Sequence, residues 1–267
     1  MHARRAFLVT LVGASLAWGC SDPAATPAPA PTPAHAPMQV EVVATRPHDP
    51  KAFTEGFEVA GETLLEGTGM VGTSWVSATD LGTGAEQRRA DLPAPMFGEG
   101  ITSTGAGIWQ VTWKDHVAIE RDPVTLAERR RVGYDGEGWG LCTQRTGDQR
   151  LIVMSNGTRR LTFRDPATFA PVRTVDLVGY GDVPINELEC AEDGTIYANL
   201  WQTDTILRID PDTGTALAVI DAGALRRALP SQAGIDVLNG IAQLPGTDRF
   251  LLTGKYWPTT FEVRFVP

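Results

Sequence analysis

The sequence predicts an all-β fold, a five-bladed β-propeller of four-stranded blades whose last blade is closed by the N-terminal strand. Three observations predict it: a strand-start motif that recurs five times, an Asp-led turn that recurs in phase with it, and a strand that is missing at one end of the chain and present at the other. The starts read FTEGFEV at 53–59, FGEGITS at 97–103, EGWGLCT at 137–143, INELECA at 185–191 and VLNGIAQ at 237–243. Their aligned residues are Glu55, Glu99, Trp139, Glu187 and Asn239, spaced by 44, 40, 48 and 52, which is the length of one four-stranded blade.

The second mark is Asp80-Leu-Gly-Thr83, Asp122-Pro-Val-Thr125, Asp165-Pro-Ala-Thr168 and Asp210-Pro-Asp-Thr213. Asp opening a turn that contains Pro or Gly is hairpin chemistry, so each of these units carries a hairpin between its third and fourth strands. Short β-rich runs such as Ile108–Thr112 and Ile196–Trp201 lie between the marks. Only Ala222–Leu229 has a helical period. The fifth unit ends with its third strand at 260–265, and Gln39–Thr45 stands before the first start as fourth strands stand before later ones. Pairing the two closes the ring and removes two free edges.

Three segments precede or make up this body. Residues 1–20 carry Arg4 and Arg5, an apolar run from Ala6 to Ala17 and then Cys20, the layout of an export signal of lipoprotein type. The apolar run is too short to span a bilayer. Residues 21–37 are a Pro/Ala-rich tether with almost no charge and nothing to bury. Residues 38–267 form the single folded domain. The expected location is therefore periplasmic or cell-envelope, with the membrane reached only through a lipid on Cys20. The expected state is a monomer, because a closed ring leaves no sheet edge to pair.

Composition excludes other classes. With 42% apolar and 21% charged residues the chain can bury a core, and its formal charge of −9 argues against a nucleic-acid partner. The four histidines are His2, His35, His48 and His116, and no His or Cys cluster has zinc spacing. Neither metal nor cofactor is expected, and there is no nucleophile elbow of the G-x-S-x-G type. Beyond Cys20 the cysteines are Cys142 and Cys190, each three residues after Trp139 or Glu187 on adjacent blades, where a bridge and two buried thiols are both open.

First strands line the central channel of a propeller, so Glu55, Glu99, Trp139, Glu187 and Asn239 are expected to converge at one mouth. Carboxylates gathered there repel, which raises the pKa of at least one of them and equips it as a general acid near neutral pH. By the bland reading, Glu187 bonds the backbone of neighbouring strands, and Trp75, Trp109 and Trp257 are packing residues.

The segments HDPKAFTEGF (48–57), FGEGIT (97–102), WQVTW (109–113), GEGWGL (136–141), NELE (186–189), YANLWQTDTILRIDPDTG (197–214), VLNGIA (237–242) and LTGKYWP (252–258) together resemble the plant-type glutaminyl cyclases also found in bacteria. The resemblance implies metal-independent cyclisation of N-terminal glutamine on peptides or proteins to pyroglutamate, with ammonia released. It implies Glu99 as proton shuttle, a pocket walled by Phe53, Phe97, Trp113, Trp139 and Trp201, and Asn186 and Lys255 as hydrogen-bonding groups for the substrate. Glu55 departs from the pattern: the family motif usually reads FTQGL, and this chain has FTEGF. The substitution places a second carboxylate in the substrate site and implies weaker or acid-shifted activity. It also keeps open a peptide-binding module with reduced turnover. A calcium-dependent hydrolase is the third reading.

Overall fold

The computed structural model describes residues 37–267, so the export signal, Cys20 and nearly all of the tether lie outside the described residues. The described chain is all-β. Its strands are β1 (Pro37–Pro47), β2 (Thr54–Ala60), β3 (Thr63–Thr68), β4 (Trp75–Asp80), β5 (Glu86–Asp91), β6 (Gly98–Ser103), β7 (Ile108–Thr112), β8 (Val117–Arg121), β9 (Glu128–Gly133) and β10 (Leu141–Thr146). They continue as β11 (Gln149–Met154), β12 (Arg160–Arg164), β13 (Pro171–Asp176), β14 (Ile185–Cys190), β15 (Ile196–Leu200), β16 (Thr205–Ile209), β17 (Ala216–Asp221), β18 (Leu238–Gln243), β19 (Arg249–Gly254) and β20 (Thr259–Val266). One short helix, α1 (Gly223–Ala228), falls where the helical period predicts it, between β17 and β18.

Burial runs outward through each sheet. Every residue of β6 and β7 is buried, whereas β5 and β9, with the sequences EQRRAD and ERRRVG, are mostly exposed. Charged outer strands discourage pairing with another chain. The predicted hairpins close as their chemistry dictates: Asp80, Asp122, Asp165 and Asp210 each accept the amide and the hydroxyl of the Thr three residues on.

Sheets β2–β5, β6–β9 and β10–β13 are separate antiparallel meanders of four strands. The remaining strands form one eight-stranded sheet in the order β14-β15-β16-β17-β1-β20-β19-β18. The four-stranded sheets expected from the sequence are seen directly in three cases, and the other eight strands share one sheet. β1 pairs antiparallel with β20 from Gln39 opposite Val266 to Pro47 opposite Thr259, as the closure predicts. Its first residues, Pro37–Gln39, also pair in parallel with Val219–Asp221 of β17. Both edges of β1 are thereby satisfied, which fuses what would otherwise be two sheets.

Apolar seams join successive groups of strands. Leu65, Val76 and Ile101 fill the first seam, Trp109, Leu141 and Ile152 the second, and Val153, Phe163 and Leu188 the third. Tyr197, Ile220, Ile241 and Phe250 fill the fourth, and Phe57, Ala242 and Leu251 return the packing to β2. The core is thus a cycle of wedges around the inner strands β2, β6, β10, β14 and β18. Trp75, Trp109 and Trp257 are buried packing residues. Cys142 of β10 and Cys190 of β14 form a disulfide between two inner strands, which settles the pairing left open by the sequence.

Candidate active site

Four inner strands carry a register shift at the same place, between Thr54 and Gly56, Gly98 and Ile101, Ile185 and Leu188, and Leu238 and Ile241. Bulges re-aim side chains out of the regular pleat. Here they fall on Glu55, Glu99, Asn186 and Asn239, each the second residue of its strand. Close approach makes this possible: a Cβ on Gly100 would sit 2.4 Å from Trp139 O, and one on Gly140 would sit 2.3 Å from Asn186 O.

This corrects one position of the sequence alignment. On β14 the residue equivalent to Glu55 and Glu99 is Asn186, and Glu187 occupies the place held elsewhere by Gly56, Gly100, Gly140 and Gly240. Glu187 does not line the cavity. It is fully buried and accepts the Phe57 amide of β2 at 3.2 Å and the Ile241 amide of β18 at 2.9 Å, tying three inner strands together below it.

Above this tie lies a cavity of about 460 Å³, a volume that suits a small ligand. It is lined by Phe53, Glu55, Phe97, Glu99, Trp113, Trp139, Gly157, Pro184, Asn186, Trp201 and Lys255. All nine residues named from the sequence are brought together there. The rings form a connected wall. Phe53 meets Phe97 edge-on at 6.1 Å, Phe97 meets Trp113 at 5.6 Å, and Trp139 meets Trp201 edge-on at 5.5 Å.

One contributor was not singled out beforehand. Glu137 accepts the indole N–H of Trp113 at 2.8 Å and of Trp139 at 3.1 Å, so one carboxylate orients two walls. Burial pushes its carboxyl up, but hydrogen bonds from Trp139, Trp113 and Lys114 outweigh that and hold it below the usual range. Asn239 donates to Thr54 O at 2.9 Å and to Glu55 Oε2 at 3.3 Å. The only signal for Glu137 was its place in GEGWGL, two residues before Trp139, whose indole N–H needs a partner.

The polar floor is a line of three ionisable groups. Lys255, in the turn between β19 and β20, donates to Glu55 Oε1 at 2.6 Å and lies 4.4 Å from the Phe53 ring centroid. Glu55 in turn faces Glu99. Burial is the main cause that pushes the Glu99 carboxyl well above the ordinary range, and the Glu55 charge adds to it against the opposing pull of Lys255. Burial also raises Glu55, but Lys255 counters it directly. The shared proton therefore belongs on Glu99, which donates to an ionised Glu55 paired with Lys255. Glu99 Oε2 and Asn186 Oδ1 are buried and have no hydrogen-bond partner among the described residues. A protonated carboxyl with a free oxygen, facing an apolar wall, can give a proton to a bound group and take one back. Among the described residues no cluster of three or more His, Cys, Asp or Glu has the arrangement to hold a metal ion.

Comparison with known proteins agrees with this geometry. The family model described as glutamine cyclotransferase matches residues 12–265. A curated glutaminyl-peptide cyclotransferase of Arabidopsis thaliana is 37% identical over 233 residues, covering 85% of this chain and 71% of the relative. The crystal structure of Myxococcus xanthus glutaminyl cyclase superposes with a TM-score of 0.78 at 37% identity, covering 87% of this chain and 98% of that one.

Proposed function

The chain belongs to the glutamine cyclotransferase family, and from that premise we propose how its cavity converts an N-terminal glutamine to pyroglutamate with release of ammonia. The α-amine attacks the δ-carbon of its own side-chain amide, so the reaction is intramolecular and the protein's first task is to fold the substrate. The wall of Phe53, Phe97, Trp113, Trp139 and Trp201 does this and keeps water from the reacting carbon. Asn186 and Lys255 hydrogen-bond the substrate, with Lys255 placed to stabilise the oxyanion that develops on the carbonyl oxygen.

Glu99 moves the proton. As the new C–N bond forms, the attacking amine must lose one proton, and as the old C–N bond breaks, the departing nitrogen must gain one. Glu99 gives its proton to the leaving nitrogen and receives the amine's, ending as it began. Ammonia leaves with its three hydrogens and no metal takes part. The observation that carries this reading is the Glu99 carboxyl, buried, pushed well above its ordinary range and unpartnered at Oε2 inside an aromatic cavity.

Ammonia release from a Gln-initiated dipeptide tests it. Residues 38–267 should turn over in the presence of chelator, and Glu99→Gln should lower kcat by about 10²–10⁴-fold, the usual contribution of one acid–base group. Turnover that survives in Glu99→Gln would remove Glu99 from the role.

Five blades are the reading of the ring that best fits the five apolar seams, with the eight-stranded sheet taken as two blades joined along Pro37–Gln39. The N-terminal segment supports export and a lipid anchor at Cys20, with a monomeric domain held off the membrane by residues 21–37. Cys20→Ala should then move the protein from the membrane to the soluble fraction.

A further inference from the structure

His48 follows β1 immediately and lies outside the cavity, with its side chain only 6% exposed. Its Nδ1 is 2.6 Å from Trp257 O, and its Nε2 is 3.0 Å from Glu66 Oε1 on β3. A carbonyl and a carboxylate are both acceptors. A neutral imidazole has one N–H and one lone pair, so it can satisfy only one of them, whereas an imidazolium satisfies both.

The two acceptors lead to opposite sides of the Lys255–Glu55 contact. Trp257 is two residues beyond Lys255 in the same turn, and the His48 amide also donates to Pro258 O at 3.0 Å. Glu66 Oε1 accepts the Thr54 hydroxyl at 2.7 Å, and Thr54 directly precedes Glu55. The Tyr256 amide completes the clamp by donating to Ala52 O at 2.7 Å. We propose that His48, carrying both ring protons, is the positioning residue that clamps the Lys255 turn against the Glu55 strand, so that losing one proton loosens Lys255 in the active site.

The surroundings favour the charged ring. Burial alone would push His48 down, but the Glu66 charge and hydrogen bond, the Trp257 carbonyl and Asp49 push it up and prevail. The cavity beside His48 is also lined by Arg46, Asp49, Glu66, Asp80, Glu86 and Arg89, of which Glu66 and Asp49 act on the ring. A histidine raised above the ordinary 6.5 adds stability that is complete below that value and is lost as pH rises through the folded one. The clamp is therefore closed below the ordinary histidine range and opens as pH rises through the raised midpoint.

Nitrogen NMR of the wild-type imidazole, with hydrogen exchange at the Tyr256 amide, tests the clamp without reference to catalysis. The expected result at pH 6 is a doubly protonated ring, and Tyr256 protection that falls along the ring's own titration after correction for intrinsic exchange. A neutral ring at pH 6, or protection indifferent to the titration, overturns the proposal. The kinetic arm rests on the cyclotransferase reading. Glu66→Gln removes the charge and should lower by about one pH unit both the imidazole midpoint and the pH at which KM begins to rise. His48→Asn, which can replace only the Nδ1 donor, should lower kcat/KM about tenfold at pH 6, through KM from the lost Lys255–substrate hydrogen bond and through kcat from the weakened oxyanion contact. An imidazole midpoint that moves while the KM profile stays fixed also overturns it. An inactive wild type with an intact clamp would instead refute the cyclotransferase reading alone.

Discussion

At the scale of the residue, Glu55 decides the electrostatics of the site. Its charge pushes the Glu99 carboxyl upward, so Glu99 keeps its proton to higher pH. It also favours the ammonium form of a bound substrate amine, which must be neutral to attack. The alkaline limb reports loss of the Glu99 proton and the acid limb reports the amine, so Glu55 moves both to higher pH. The sequence alone implies weaker or acid-shifted activity from the same carboxylate, and the pH–rate profile decides between the two directions. Glu55→Gln should accordingly move both limbs of the pH–rate profile down by about one pH unit, within the usual effect of a neighbouring charge. Unmoved limbs would mean that Lys255 already cancels the charge. Glu55, Glu99 and Trp139 were legible because they recur in phase at strand starts, and the other cavity residues because their motifs resemble those of the family. Glu137 was not, since its role depends on two indole N–H groups meeting in space.

At the scale of the element, the hairpins were legible because an Asp, a Pro or Gly and a Thr close a turn among themselves, with no help from distant residues. The bulges were not. They arise where inner strands crowd together, and on β14 the displaced frame put Glu187 in the alignment where Asn186 belongs. The bridge between β10 and β14 was equally hidden, since facing positions are not fixed until register is known. Cys142 and Cys190 are separated by 48 residues. Closing such a loop restricts the unfolded chain and contributes about 2–4 kcal/mol. The Cys142→Ala/Cys190→Ala pair should lower the denaturation midpoint by a corresponding amount while leaving KM within a factor of about two, because neither cysteine lines the cavity. A large change in KM would mean that the bridge also holds Asn186, four residues before Cys190, in place.

At the scale of the whole molecule, the ring depends on a strand from the opposite end of the chain. The closure was readable from the sequence by counting, since one unit lacked a strand and a spare one stood ahead of the first. The parallel contact of Pro37–Gln39 with β17 was not readable, because it joins two edges that no repeat places together. Deleting residues 37–47 removes the partner of β20 and leaves that strand and β17 open. The shortened chain should unfold at lower denaturant with a broader transition and should associate in solution, which scattering and urea titration would detect. A monomer of unchanged midpoint would mean that the seams alone hold the cycle. β1 also leads directly into His48, so the same deletion should disturb KM even where folding survives.

Glu187 gives the site a dead end. Its carboxyl links β14, β2 and β18 beneath the cavity and gives it a floor. A floored pocket of that size favours the tip of a chain over a glutamine with peptide on both sides, a preference that competition by a peptide with internal glutamine would measure. The same geometry obliges the cyclised peptide to back out by the route it entered, and until it does the next substrate must wait outside.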